Sequence, residues 1–191
     1  MLNILLFGPP GSGKGTQAAR LIDTYNLYHI SSGDLLREER KKGTDLGKLA
    51  QSYMDAGAFV PDEVVIGMIS HKLDEKMAHI NGVIFDGFPR TVAQAIALDA
   101  MLASKGTEIK KVLSLHVTEE EVVKRILERG KTSQRTDDTE EVVRKRYLDY
   151  IEKTTPVAEH YNQQGKLVTI EGEGSMSDIN AVLCVEIDKI V

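Results

Sequence analysis

Apolar residues collect into five short runs, at residues 2–7, 28–31, 83–86, 112–117 and 167–170, separated by longer stretches of mixed polarity. Short apolar runs bounded by turn residues read as strands buried on both faces, whereas apolar positions recurring every three or four residues read as amphipathic helices. Helices are expected over residues 13–25, 61–76, 91–104, 118–129, 139–163 and 175–190. Pro61-Asp62-Glu63 sets a proline and two acids at the start of one helix, and Asp138, three residues before Glu141, has the spacing of a capping box. Strands alternating with helices of this length imply parallel βαβ units. The chain therefore reads as α/β, a five-stranded parallel sheet flanked by helices.

Two stretches break that alternation. Residues 31–60 carry no strand pattern, read as two short helices around Gly43 and end at Gly57-Ala58-Phe59-Val60. Residues 129–135 form a small polar loop bracketed by Arg129 and Arg135. Both are expected to be mobile insertions within a single domain spanning residues 1–191, because functional loops sit on such insertions.

Composition narrows the function. With 41% hydrophobic and 28% charged residues the chain has the make-up of a globular domain. Its net charge of −5 lacks the basic excess of a nucleic-acid binder, and six Tyr, four Phe and no Trp give little stacking surface. No nucleic-acid partner is expected. The first apolar run has no basic residue before it and a Gly-Pro-Pro stop after it, so a buried strand is expected there rather than a signal peptide or membrane span. Cys184 is the only cysteine, which excludes an intramolecular disulfide and fits a reducing compartment, so a cytoplasmic location is expected.

Gly8-Pro9-Pro10-Gly11-Ser12-Gly13-Lys14-Gly15-Thr16 lies between the first strand and the first helix, the context in which a Walker A pattern acquires a mechanism. Glycines let backbone N–H groups converge on a polyphosphate, the helix N-terminus adds partial positive charge, and Lys14 reaches the terminal phosphates. Gly15 stands where most P-loops carry a hydroxyl; the hydroxyl comes one residue later, at Thr16, which is placed to serve Mg²⁺. Val83-Ile84-Phe85-Asp86 is an apolar strand ending in a carboxylate. The carboxyl ends of strands face the crevice in such sheets, so Asp86 is expected beside the P-loop, holding Mg²⁺ or its waters.

Arg37, Arg90, Arg125, Arg129, Arg135 and Arg146 fall in or beside the insertions and strand ends. Any one could be structural; Glu121, for instance, is i,i+4 to Arg125. Several arginines from separate segments beside a P-loop point to a site holding more phosphate than one nucleotide supplies. A hydroxyl acceptor needs a base, but a phosphate monoester is mostly ionised at neutral pH and needs cations instead. A kinase acting on a phosphate acceptor follows.

The P-loop, Ser31-Ser32-Gly33-Asp34-Leu35-Leu36-Arg37, Asp86-Gly87-Phe88-Pro89-Arg90 and Arg135-Thr136-Asp137-Asp138 occur in an order and spacing that resemble the adenylate kinase family across nearly the whole chain. The resemblance implies a P-loop NTPase fold with an insertion for the nucleoside monophosphate and a short lid. It implies reversible phosphoryl transfer from ATP to AMP, giving two ADP, with ATP, AMP and ADP as small-molecule partners, no membrane partner, and a monomer. Gly11, Ser12, Gly13, Lys14, Gly15, Thr16, Arg125, Arg129 and the backbone of Gly174 match ATP positions. Ser32, Arg37, Ala58, Phe59, Val60, Gly87, Phe88, Pro89, Arg90 and Gln94 match AMP positions. Arg135 and Arg146 match arginines that bridge both phosphate chains. Lys14, Asp86, Arg90, Arg129, Arg135 and Arg146 would carry the transfer, with Thr16 and Asp86 on Mg²⁺, through water. Ser32 replaces the family's more usual Thr, and the loop over residues 130–134 is far shorter than the long lid that in some bacterial members carries zinc-binding cysteines, so no zinc is expected.

A UMP/CMP kinase shares the implied fold and most phosphate contacts; such enzymes typically show Ala at the position of Ser32 and Asn near that of Gln94. A GTP-binding switch would resemble GTPases in carrying Asp-x-x-Gly and Asn-Lys-x-Asp, and neither motif occurs here. An inactive binding protein on this fold would have no need for Lys14, Asp86 and all six arginines. His29, His71, His79, His116 and His160 lack metal-ligand spacing, and Cys184 reads as core packing. Lys41-Lys42 and Lys110-Lys111 read as solvated charge, and Arg144 and Lys145 have no assigned role.

Overall fold

The computed structural model describes residues 1–131 and 138–191, with every side chain among them except that of Ala78. Five strands, β1 (Leu2–Phe7), β2 (Tyr28–Ser31), β3 (Gly82–Asp86), β4 (Lys111–His116) and β5 (Leu167–Glu171), form one sheet in the order β2-β3-β1-β4-β5. Every pairing is parallel. All five fall on the apolar runs, to within a residue at most ends.

Alternate residues of each strand feed opposite layers, as the two-residue period requires. Leu5 and Phe7 of β1 join Phe85 in one core with Ile69 of α4 (Asp62–Lys76), Leu98 of α5 (Val92–Ser104) and Tyr161 of α8 (Thr155–Asn162). Ile4 and Leu6 join Ile84 and Leu113 in the other, with Leu21 of α1 (Lys14–Tyr25) and Leu183 of α9 (Met176–Asp188). Both faces are thus covered, which explains why the strands read as continuous apolar runs. Among the described residues no helix is long and apolar enough to cross a membrane.

Residues 31–60 do form two helices, α2 (Ser32–Lys42) and α3 (Asp45–Asp55), with Gly43 in the left-handed conformation between them. Ser31 caps α2 by accepting from the amide of Asp34, and Thr44 caps α3 by accepting from that of Gly47. Beyond β4, α6 (Glu119–Gly130) and α7 (Glu140–Asp149) pack through Val122, Ile126 and Val143.

Two expectations need correcting. The helix expected over residues 139–163 is interrupted: α7 stops at Asp149, residues Tyr150–Thr154 wind as a π-helix, and α8 follows. Pro156 supplies the reason, because it has no N–H to donate and its ring crowds the carbonyl four residues back. Nor does Asp138 cap α7. Thr139 holds the cap position, without a side-chain hydrogen bond. The Asp138 carboxylate, with only 1% of its side chain exposed, receives the Arg129 guanidinium through Nε at 2.9 Å and through Nη2. A buried carboxylate gains more from a two-point charged partner than from one backbone amide.

Candidate functional site

Strand order reverses around β1, so the segments leaving the carboxyl ends of β1 and its neighbours open into one crevice. A cavity of about 860 Å³ lies there. The P-loop forms one wall. Gly11 adopts φ 77°, and a Cβ on it would come 2.7 Å from Ile126 Cγ1, so α6 closes over a loop that only glycine can make at that point. Lys14 opens α1 and its Nζ donates to the carbonyls of Gly8 (2.7 Å) and Pro9 (2.8 Å) and to the Ser12 hydroxyl. Burial pushes the Lys14 ammonium down to about 8; Asp86 opposes that shift, while Arg90, Arg146 and Arg129 add to it.

Asp86 ends β3 in register with Leu6 of β1 and Ser31 of β2, which sets it at the centre of the crevice. Burial alone would raise its carboxyl, but His29, Lys14 and Arg90 outweigh that and hold it below the usual carboxylate range. His29 Nε2 stands 3.8 Å from Asp86 Oδ2. His29 does not line the cavity but backs Asp86, which does, and spacing along the chain has no means of singling it out, because its neighbour comes from another strand.

The loop after β3 makes the opposite wall. Gly87 turns with φ 70°, and a Cβ there would meet the Arg90 guanidinium at 2.9 Å and Ser32 Oγ at 3.2 Å. The Gly87 carbonyl accepts from both: from Ser32 Oγ at 2.5 Å and from Arg90 Nε at 2.7 Å. Arg90 also lies over the Phe59 ring, 5.4 Å from its centroid, with Lys153 Nζ 5.2 Å from the same centroid. Burial, then the charge of Arg146, push Arg90 down to about 10. Gln94, only 2% exposed, accepts from the Arg90 amide and donates to Asp62, a residue that the sequence marked only as a first-turn acid.

The structure brings most of the expected positions to this cavity. Gly11, Ser12, Gly13, Lys14, Gly15, Thr16, Arg125, Arg129 and Gly174 line it on the P-loop side, and Ser32, Arg37, Ala58, Phe59, Val60, Gly87, Pro89, Arg90 and Gln94 on the other. Asp86 and Arg146 lie on it as well. Phe88 does not: its side chain is wholly buried in the core under α4 and α5. Arg125 pairs with Glu121 at 2.8 Å and Arg37 with Asp34, while both remain on the cavity wall. Arg135, with most of the loop expected over residues 129–135, falls among residues 132–137, outside the described residues. Arg144 pairs with Glu119 and Glu140 on the surface, and Lys145 Nζ donates to the Ala56 carbonyl at 2.7 Å, linking α7 to the end of the first insertion. Gln17, absent from the sequence reading beyond its place after the P-loop, ties α1 to α9 by donating to the Met176 carbonyl at 2.9 Å.

A parallel sheet in this order, a P-loop at its centre, a carboxylate beside it and arginines converging from several segments define a P-loop NTPase fold with room for more than one phosphate chain. The adenylate kinase family model matches residues 6–166. An adenylate kinase of Parabacteroides distasonis is 50% identical over 179 residues, covering 94% of each chain. Those of Flavobacterium psychrophilum and Phocaeicola vulgatus are 48% and 47% identical over 191 and 190 residues, covering 100% of each chain. The chain belongs to the adenylate kinase family, and it is an enzyme, a phosphotransferase acting reversibly between ATP and AMP to give two ADP.

Proposed function

We propose that ATP lies along the P-loop with its adenine against the backbone at Gly174, that AMP lies between Ser32, Val60, Arg90 and Gln94, and that the two phosphate chains meet over Lys14. The observation that carries this reading is one cavity walled on one side by a P-loop and on the other by the first insertion and the loop after β3. Mg²⁺ comes with ATP as part of the substrate. The residues fit it: Asp86 is a hard oxygen donor held in its ionised form, and Thr16 offers a hydroxyl on the same cavity. Among the described residues no three His, Cys, Asp or Glu side chains cluster to hold a metal, so phosphate oxygens would supply the remaining ligands. When bound, the cation neutralises charge on the β- and γ-phosphates.

An oxygen of the AMP phosphate attacks the γ-phosphorus of ATP, and the bond from that phosphorus to the β–γ bridging oxygen breaks, leaving ADP on both sides. The attacking oxygen is already ionised, so no general base is needed. Lys14, Arg90, Arg129 and Arg146 hold the charge that spreads over the transferring group, and Arg135 joins them on the strength of the sequence. The insertion over residues 31–60 closes on AMP and excludes water that would otherwise take the phosphoryl group. The enzyme acts as a cytoplasmic monomer on small nucleotides, with neither nucleic acid nor membrane as a partner, consistent with its acidic balance of charge.

The test is hydrogen exchange with two adenosines joined through a chain of five phosphates. Saturating analogue should slow exchange across residues 31–60 and the P-loop while leaving β1 and β3 little changed. Protection confined to the P-loop would overturn the two-sided site.

A further inference from the structure

Gln94 is held in one orientation by partners that cannot exchange roles. Its Oε1 accepts from the Arg90 backbone N–H at 2.7 Å, and its Nε2 donates to Asp62 Oδ1 at 2.7 Å. A carboxylate only accepts and a backbone N–H only donates, so a flipped amide would set oxygen against oxygen and N–H against N–H. Asp62 is held in turn, because Thr91 Oγ1 donates to its Oδ2 at 2.7 Å while accepting from the Gln94 backbone N–H at 3.2 Å. The cluster joins the first turn of α4 to the start of α5. It leaves Gln94 one side-chain N–H and one lone pair unspent, on a residue that lines the cavity.

We propose that Asp62 is a specificity-determining positioning residue: by orienting the Gln94 amide it makes the acceptor pocket select a purine with a 6-amino group over one with a 6-oxo group. The inference rests on the proposed placement of the AMP base against Gln94. Adenine offers an amino donor beside a ring-nitrogen acceptor, which a fixed amide answers with its remaining lone pair and N–H. Hypoxanthine carries an oxygen in place of that amino group and would set an acceptor against the Gln94 oxygen. A buried polar group left unanswered in this way discriminates strongly, whereas an amide free to turn would answer either base.

The experiment measures kcat, KM and kcat/KM for AMP and IMP at saturating Mg·ATP in the wild-type enzyme, D62A, D62N and Q94A, with melting temperatures for each. D62A should narrow the AMP/IMP ratio in kcat/KM by tenfold or more, chiefly by lowering the KM for IMP, with a smaller rise in the KM for AMP. D62N should recover the ratio, because Asn can still accept from Gln94 while its amide turns to the Thr91 hydroxyl. Loss of stability alone would leave the ratio untouched. Should D62A not fold, D62S serves instead, being polar at the helix start but too short to reach Gln94. A folded D62A or D62S that keeps the wild-type ratio while Q94A loses it would overturn the role of Asp62. Retention of the ratio in Q94A would instead overturn the placement of the base.

Discussion

Lys14 should take up a proton when nucleotide binds, and the amount is set by its surroundings. With burial holding it near 8, about half of the lysines are neutral at pH 8 in the protein without nucleotide. Bringing a triphosphate against the ammonium favours the charged form and returns its titration toward or above the ordinary 10.5, so binding recharges that half. The expected uptake is about 0.1 proton at pH 7, 0.5 at pH 8 and 0.9 at pH 9, and affinity should fall about fivefold between pH 8 and 9. Isothermal titration of the five-phosphate analogue in buffers of different ionisation enthalpy reads the uptake directly, because every phosphate of the analogue is bridged on both sides and lacks the second ionisation that a phosphate monoester has near ~6. Stability runs opposite to affinity: between about 8 and 10.5 the unfolded chain holds a proton that the folded one has released, so the folded state gains stability as pH rises through that window. The uptake should vanish in Lys14→Met, which should fold normally and lose phosphoryl transfer. Zero uptake at pH 9 in the wild-type protein, or undiminished uptake in Lys14→Met, would refute the reasoning.

Arg90→Ala should cost on the order of 3 kcal/mol of transition-state stabilisation with a small change in melting temperature, read from kcat/KM and thermal unfolding. Combining it with Arg146→Ala should cost less than the sum of the two, since the proposed site sets both on the same transferring charge; full additivity would place them in separate roles. Gly11→Ala should weaken ATP binding and lower the melting temperature together, because the new Cβ meets Ile126 and the left-handed backbone disfavours it. A variant with wild-type ATP affinity would show that α6 yields at that point.

The central strands β1, β3 and β4 were legible because they are mostly covered on both faces, which leaves nearly unbroken apolar runs, whereas the edge strands β2, with His29 and Ser31, and β5, with Thr169 exposed, carry weaker ones. The P-loop was legible because its chemistry lies in one contiguous segment. Pro156 is a local signal of a break near residues 150–154, and the expectation of one helix over residues 139–163 leaves it out of account. The expected cap at Asp138 fails because its spacing to Glu141 is a local pattern, whereas its partner, Arg129, comes from the end of α6 and supplies two charged hydrogen bonds. The Asp62–Gln94–Thr91 cluster and the approach of His29 to Asp86 depend on which helices and strands become neighbours, and no spacing along the chain encodes that.

Acceptor choice tests the account most directly. Initial rates for AMP, UMP and CMP at fixed Mg·ATP should favour AMP by at least ~100-fold in kcat/KM, because in the proposed site Gln94 and Ser32 set fixed polar groups where a pyrimidine leaves them unanswered. Comparable kcat/KM for AMP and UMP would contradict it.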